Sequence, residues 1–477
     1  MSELGRSASV SSVAGNRPGT GEKPSAVSPP LWQLLQTVAQ SLQAVRQGQS
    51  TSRLLPQIEA SQRAAVQSLL FRVLRQLGMA QALRQRLAPR APAPAVDALL
   101  CTALALCWDE DQAPYDGHTL VNQAVEAAKR NRRTQGQAAF INACLRRFLR
   151  ERVPLLAAVQ ADPKVLTPLP PWWVARLQRD HPLAWQSLLQ LGQHPAPMTV
   201  RVNGRHTTRE ALQARWHSAG ITSQPVGRMG LQLDKPMDVH LLPGFDAGDC
   251  SVQDAAAQLA VELLWDGLLQ TVTPTSGAAD HSAWRLLDAC AAPGGKTAHM
   301  LEAAPSGGRS VELLALEIDA TRMPRIQENL QRIGLQAQVR CADAGEPATW
   351  WDGRPFDGVL LDAPCSASGI VRRHPDIAWL RRESDIAELA QQQSRLLEAL
   401  WPLLRPGGVL VYCTCSVFRA EGQDRIDSFL AHNTDARLRP SPGHLMPLAP
   451  GNQPGLPDNW LGDHDGFYYA VLEKSLG

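Results

Sequence analysis

The chain has 477 residues, enough for two or three domains, and at 44% apolar and 19% charged it can bury sizeable cores. A formal net charge of +2 excludes a uniformly basic nucleic-acid-coating protein and leaves room for local basic patches. Nine cysteines, an odd number spread over a long chain with no repeated CxxC pair, argue against a secreted disulfide framework and against a structural zinc site.

Residues 1–30, "MSELGRSASVSSVAGNRPGTGEKPSAVSPP", lack the apolar stretch of a signal peptide, and their Ser, Gly and Pro content predicts a disordered tail. No apolar run reaches about 18 residues, so no membrane span is expected and the reducing cytoplasm is the expected compartment. Residues 31–158 carry apolar positions at three- and four-residue spacing, which predicts a helical domain. Within it "AVDALLCTALALCW" is apolar almost all round and reads as the central helix of a bundle. The following "TLVNQAVEAAKRNRRTQGQAAFINACLRRFLRER" holds Lys129, Arg130, Arg132, Arg133, Arg146, Arg147, Arg150 and Arg152, a dense basic zone that is either a solvated helix face or a phosphate-contacting one.

"PLPPWW" punctuates the chain, and residues 159–244 mix short helical and strand patterns, as a small α+β segment does. A low-complexity loop, "PTSGAADHSA", precedes the most informative region. Across residues 245–477 the strands "WRLLDAC", "VELLALEI", "AQVRCADA", "FDGVLLDAP" and "GGVLVYCTC" alternate with helical stretches. Such a βαβ series predicts a parallel sheet covered by helices on both faces, with ligands bound beyond the carboxyl ends of the strands.

The strand ends therefore define the candidate site. The first runs into "DACAAPGGKT", in which Pro293, Gly294 and Gly295 allow a tight turn into a helix. The Gly-Lys-Thr ending imitates a P-loop, but the position that needs the first glycine is Cys290, and a proline lies inside the loop. The second strand ends in Glu317, suited to ribose hydroxyls, and the third in Asp343, suited to an adenine amino group. Each acid alone could be a helix cap. Glycine turn, acid and acid on successive strands describe a nucleoside cofactor lying across the sheet edge. The fourth strand ends in "DAPCSASGIVRRHPD", with Asp362 and Cys365, and the fifth in Thr414-Cys415-Ser416, so two thiols arrive at neighbouring strand ends. Cys413, two residues back in its strand, reads as a small packing residue.

"DACAAPGGKT", "LDAPCSASGIVRRHPDIAW" and "TCSV" resemble the RNA cytosine-C5 methyltransferases of the NOL1/NOP2/Sun group. The basic helical stretch resembles the NusB-like domain of that group's bacterial Fmu/Sun branch, which acts on 16S rRNA, and "MTVRVN", "SVQDAAAQLA" and "DGFYYA" fit the same pattern. The resemblance implies an all-α NusB-like RNA-binding bundle, a small α+β segment and a Rossmann-like methyltransferase domain. It implies S-adenosylmethionine as cofactor, contacted by Cys290, Ala291, Ala292, Pro293, Gly294, Gly295, Lys296, Glu317, Asp343 and Asp362, with no metal. The implied partner is 16S rRNA, free or in an early assembly; separately from the resemblance, the chain is expected to be a monomer. Glu317 stands where the family usually has Asp, which keeps the carboxylate.

Cytosine C5 is a poor nucleophile, and a thiolate adding to C6 makes it an enamine carbon able to take a methyl group. Asp362 is placed to stabilise the charge that builds near N3 and O2, and the second thiol to act as, or to position, the base for release. A Pro-Cys motif serves as nucleophile in DNA cytosine-C5 methyltransferases, which here points to Cys365; the Thr-Cys-Ser match points to Cys415. The alternative of another class is an RNA-binding factor built on an inactive methyltransferase fold, against which the intact strand-end residues argue.

Overall fold

The helix Pro94–Cys107 is buried without interruption from Ala98 to Cys107. A helix apolar on all sides has to sit inside a bundle. Helices Leu31–Arg46, Ala60–Arg75, Leu77–Leu87, Gly117–Lys129 and Ala138–Arg150 surround it. Each fully buried leucine at this centre contributes roughly 1.5–3 kcal/mol. The computed structural model describes residues 29–161, 169–271, 283–305, 309–447 and 461–476. The tail expected before Leu31 lies almost wholly outside these residues, as does nearly all of the loop that starts at Pro274.

Helix Ala138–Arg150 turns Ala138, Ile141, Cys144, Leu145 and Phe148 inward at three- and four-residue spacing, which leaves its arginines outside. Of the basic zone, Lys129, Arg130, Arg132, Arg133, Arg146, Arg147 and Arg150 are exposed. Arg130 pairs with Glu126 and Arg147 with Glu151 along their helices. Arg152 does not join this surface: it donates to the Cys107 carbonyl at 2.6 Å and pairs with Glu110.

The second unit is a four-stranded antiparallel sheet made of β1 (Met198–Val202), β2 (Ser223–Val226), β3 (Gly230–Leu233) and β4 (Cys250–Val252), in the order β2-β3-β1-β4. Its core is Val200, Val202, Leu212, Trp216 and Leu231. The edge strand β4 lies past residue 244, yet it is hydrogen-bonded to β1. Arg201, only 1% exposed, reaches out of β1 to the Glu302 carboxylate with two hydrogen bonds of 2.8 and 2.9 Å. A buried charge is tolerable only when it is paired in this way, and the pair fixes the small sheet to the helix Gly295–Glu302.

The large sheet contains β5 (Ala283–Asp288), β6 (Ser310–Glu317), β7 (Gln338–Cys341), β8 (Phe356–Asp362), β9 (Leu404–Thr414), β10 (Ala436–Leu438), β11 (Gly443–Leu445) and β12 (Phe467–Lys474). Its order is β10-β12-β9-β8-β5-β6-β7, with β11 on β12. β5 to β9 pair in parallel, as the βαβ pattern predicts. The expectation of a parallel sheet fails at one edge: β12 runs antiparallel to β9, and β10 and β11 antiparallel to β12. After the helix Gln423–His432 the chain returns through short β10 and β11, and a strand entered that way runs against its neighbour. Successive residues face opposite sides. Leu286, Leu360, Val411, Cys413 and Tyr469 pack under the helix Ala255–Thr271, and Leu287, Leu361, Leu410, Tyr412 and Tyr468 under the helix Glu383–Leu400.

Candidate active site

The turn after β5 is shaped by one glycine. Gly294 has φ 96°, and a Cβ there would lie 2.9 Å from the Ile326 Cα, so both backbone strain and a backbone neighbour exclude a side chain. Gly294 caps the helix Gly295–Glu302, whose N-terminal end faces the strand-end cleft. A Cβ on Gly295 would meet nothing nearer than 4.0 Å, so the backbone here is open to a ligand. Asp288, fully buried at the end of β5, accepts from the Thr297 hydroxyl at 2.7 Å, and burial pushes its carboxyl up to about 6.

Glu317 holds this turn against β6. Its carboxylate accepts from the Ala292 N–H at 3.2 Å and the Asp319 N–H at 3.0 Å and pairs with Arg322 at 3.3 Å. Asp343 is engaged by Arg395 at 2.9 Å and by the Gly345 N–H at 2.8 Å, with a fifth of its side chain open. Beside them Ile318 is 62% exposed, an apolar surface at a strand end that the sequence reading passed over.

Asp362, at the end of β8, receives two donors. The Lys296 ammonium lies 2.7 Å from one oxygen, and the Cys413 thiol donates to the other at 3.4 Å. Burial works against the Lys296 charge, and Asp362 and the nearby Cys413 and Cys415 sulfurs more than offset it, so the ammonium is held above the usual lysine range. The register that pairs Asp362 with Cys413 brings these two together. Cys413 is buried in the sheet, where packing was expected, and it also bonds a residue of the site.

The two thiols meet. Cys415 is the first residue beyond β9, Cys365 lies in the loop after β8, and their Sγ atoms are 3.4 Å apart. The hydrogen bond to Cys415, together with burial, holds the Cys365 thiol well above the ordinary cysteine range. The loop that carries Cys365 is tied down from several sides. Gly369 donates to the Cys415 carbonyl and accepts from Gly466, and a Cβ on Gly369 would overlap the Gly466 carbonyl. Arg381 donates to the Cys365 and Ser366 carbonyls at 3.1 Å each. Arg373 spans Asp254 of "SVQDAAAQLA" and Asp465 of "DGFYYA", so three separate sequence motifs meet at one guanidinium. The segment also touches the helical bundle: Asp376 accepts from the Thr51 N–H at 2.9 Å, and Trp379 donates to the Leu74 carbonyl at 3.0 Å. Among the described residues no group of three His, Cys, Asp or Glu side chains is arranged to hold a metal ion, and no helix is long and apolar enough to cross a membrane.

The chain is similar to known proteins over most of its length. The sequence model of the 16S rRNA methyltransferase RsmB/F family matches residues 278–473, that of its ferredoxin-like domain residues 169–240, and that of the NusB family residues 32–150. Ribosomal RNA small subunit methyltransferase B of Vibrio cholerae is 40% identical over 440 residues, 91% of this chain and 95% of that protein. The chain belongs to the RsmB/F family of rRNA methyltransferases. The protein of the same name from Yersinia pestis is 40% identical over 439 residues, 91% of this chain and 96% of its own length. A crystal structure named PH0851 shares the fold over 94% of this chain and all of its own, with a TM-score of 0.66 at 22% identity.

RsmB/F membership makes this chain an S-adenosylmethionine-dependent rRNA methyltransferase, and the strand-end residues fit that cofactor. The helix N-terminus that starts at Gly295 offers donors to a carboxylate, the Gly294 N–H being taken by the Ala291 carbonyl; Glu317 and Asp343 offer acceptors, and Ile318 offers an apolar face. Gly294→Ala is expected to cost about 1–3 kcal/mol of stability through left-handed strain and the Ile326 contact. Cofactor affinity should fall at least about tenfold (1.4 kcal/mol). Calorimetric titration with S-adenosylmethionine checks this, and an unchanged Kd would show that the turn does not shape the pocket.

Proposed function

We propose that this chain methylates C5 of a specific cytosine in 16S rRNA through a covalent bond between Cys415 and C6 of the base. The observation that carries the reading is the pair of sulfurs 3.4 Å apart at adjoining strand ends, beside the Lys296–Asp362 pair. Cys415 is taken as the attacking sulfur, and Cys365, 3.4 Å away, as the thiol that serves release. The resemblance of Thr414-Cys415-Ser416 to the motif of the RNA cytosine-C5 methyltransferases supports the same assignment over the Pro364-Cys365 alternative.

In this reading the Cys415 thiolate adds to C6, and the electron pair of the C5–C6 double bond becomes available at C5. Bound S-adenosylmethionine supplies the electrophilic methyl group that C5 takes. Asp362 accepts from the exocyclic amino group, and the Lys296 ammonium beside it balances negative charge that builds toward N3 and O2. For release, the C5 proton passes to the Cys365 thiolate, whose own proton has left to solvent, or to a base that Cys365 positions. The C5–H electron pair re-forms the double bond, and the C6–S pair returns to Cys415. Cys290, Ala291, Ala292, Pro293, Gly294, Gly295, Lys296, Glu317, Asp343 and Asp362 would hold the cofactor, and exposed Ile318 would offer it an apolar face. Exposed Lys129, Arg132, Arg133, Arg146 and Arg150 are assigned to RNA phosphates. The target cytosine must be unstacked for a thiol to reach C6.

Bisulfite sequencing of 16S rRNA from cells with and without the gene tests the substrate. One methylcytosine is expected to vanish without the gene and to return on complementation. A full set of methylcytosines in its absence counts against 16S rRNA C5 as the target.

A further inference from the structure

Glu421 lies outside every motif singled out in the sequence, yet it is fully buried and its carboxylate reaches both thiol-bearing loops. One oxygen accepts from the Ser366 N–H at 2.7 Å. The other accepts from the Ser366 hydroxyl at 2.5 Å and the Ser416 hydroxyl at 2.6 Å. Ser366 follows Cys365, and Ser416 follows Cys415. The Glu421 carbonyl accepts from the Tyr412 hydroxyl at 2.8 Å and the Thr414 hydroxyl at 3.2 Å, which locks the same residue onto β9. Ser368, 2.9 Å from the Ser416 hydroxyl, closes the ring by accepting from the Val417 N–H. Taking a carboxylate wholly out of water is costly, and here three donors from two loops, with the Gln393 amide at 3.5 Å as a fourth, compensate for it.

We propose that Glu421 is a positioning residue that clamps the loop of Cys365 to the loop of Cys415 and so sets the distance between the two sulfurs. It touches neither base nor cofactor. It acts through Ser366 and Ser416, each one residue away from a reacting thiol. The consequence for catalysis rests on the reading that both thiols take part in methyl transfer; the clamp itself does not.

Two readouts separate those statements. Diamide takes up the hydrogens of two neighbouring thiols as a disulfide forms, and mass spectrometry of the 365–415-linked peptide reports how often the sulfurs meet. Glu421→Ala is expected to slow this linkage at least about tenfold, with S-adenosylmethionine affinity within about twofold of wild type. Methylation should lose about tenfold in kcat with KM for RNA unchanged, because the clamp acts on reacting groups and not on binding. Glu421→Gln keeps the volume and one acceptor oxygen and should recover most of both losses. Wild-type linkage in Glu421→Ala overturns the proposal, whatever happens to methylation. Slowed linkage with wild-type methylation upholds the clamp and counts against the two-thiol mechanism. If Glu421→Ala does not fold, Ser416→Ala decides: it removes one donor and leaves the carboxylate in place. Linkage slowed several-fold in that variant supports the clamp, and an unchanged rate overturns it.

Discussion

Cys415→Ala is expected to abolish methyl transfer, with a loss on the order of 10⁴- to 10⁶-fold, the scale seen when the nucleophile of a cooperating catalytic group is removed. The fold should tolerate the change. The backbone carbonyl of residue 415 still accepts from Gly369, and the side chain lies beyond the last residue of β9. S-adenosylmethionine affinity should therefore stay near wild type, and no covalent RNA adduct should form. Single-turnover methylation with labelled cofactor, alongside denaturing gels for the adduct, measures both. Residual activity within about a hundredfold of wild type would mean that the C5 carbon is activated without Cys415.

Cys365→Ala is expected to behave differently. The attack step keeps its nucleophile, so the adduct forms. Release loses the thiol 3.4 Å away. Removing a general acid–base group costs about 10²–10⁴-fold, and since the loss falls after bond formation, protein–RNA conjugate should accumulate while turnover drops. A burst of one methyl group per enzyme followed by slow release is the kinetic signature. The opposite pattern, in which Cys365→Ala prevents the adduct and Cys415→Ala accumulates it, reverses the two assignments.

The parts of the fold legible in the sequence are those with a strong local period. The helix around Leu100 is apolar on all sides, and strands β5, β6, β8 and β9 are continuous apolar runs of the kind buried on both faces. The strand-end rule then brought Cys365 and Cys415 together from fifty positions apart (415 − 365). What stayed hidden depends on register or on long-range pairing. Cys413 bonds Asp362 because β8 and β9 pair in one particular register, and no local pattern carries that information. The Lys296–Asp362 pair joins residues of two separate motifs, each of which was read by itself. β12 was recognisable as a matching motif, but its antiparallel direction follows from how the chain returns after β9. Glu421 sits in an ordinary polar stretch, and only its complete burial gives it away. The dense basic run looked uniform, whereas Arg152 is spent on Cys107 and Glu110.

The central claim is a bond between one sulfur and one carbon, and it can be read directly. Cys365→Ala enzyme incubated with S-adenosylmethionine and 16S rRNA, then digested with nuclease and protease, should yield one nucleotide-bearing peptide. Fragment ions that separate Cys413 from Cys415 should place a methylated cytidine adduct on Cys415. An adduct on Cys413 or elsewhere, or complete turnover with no adduct at all, contradicts the account.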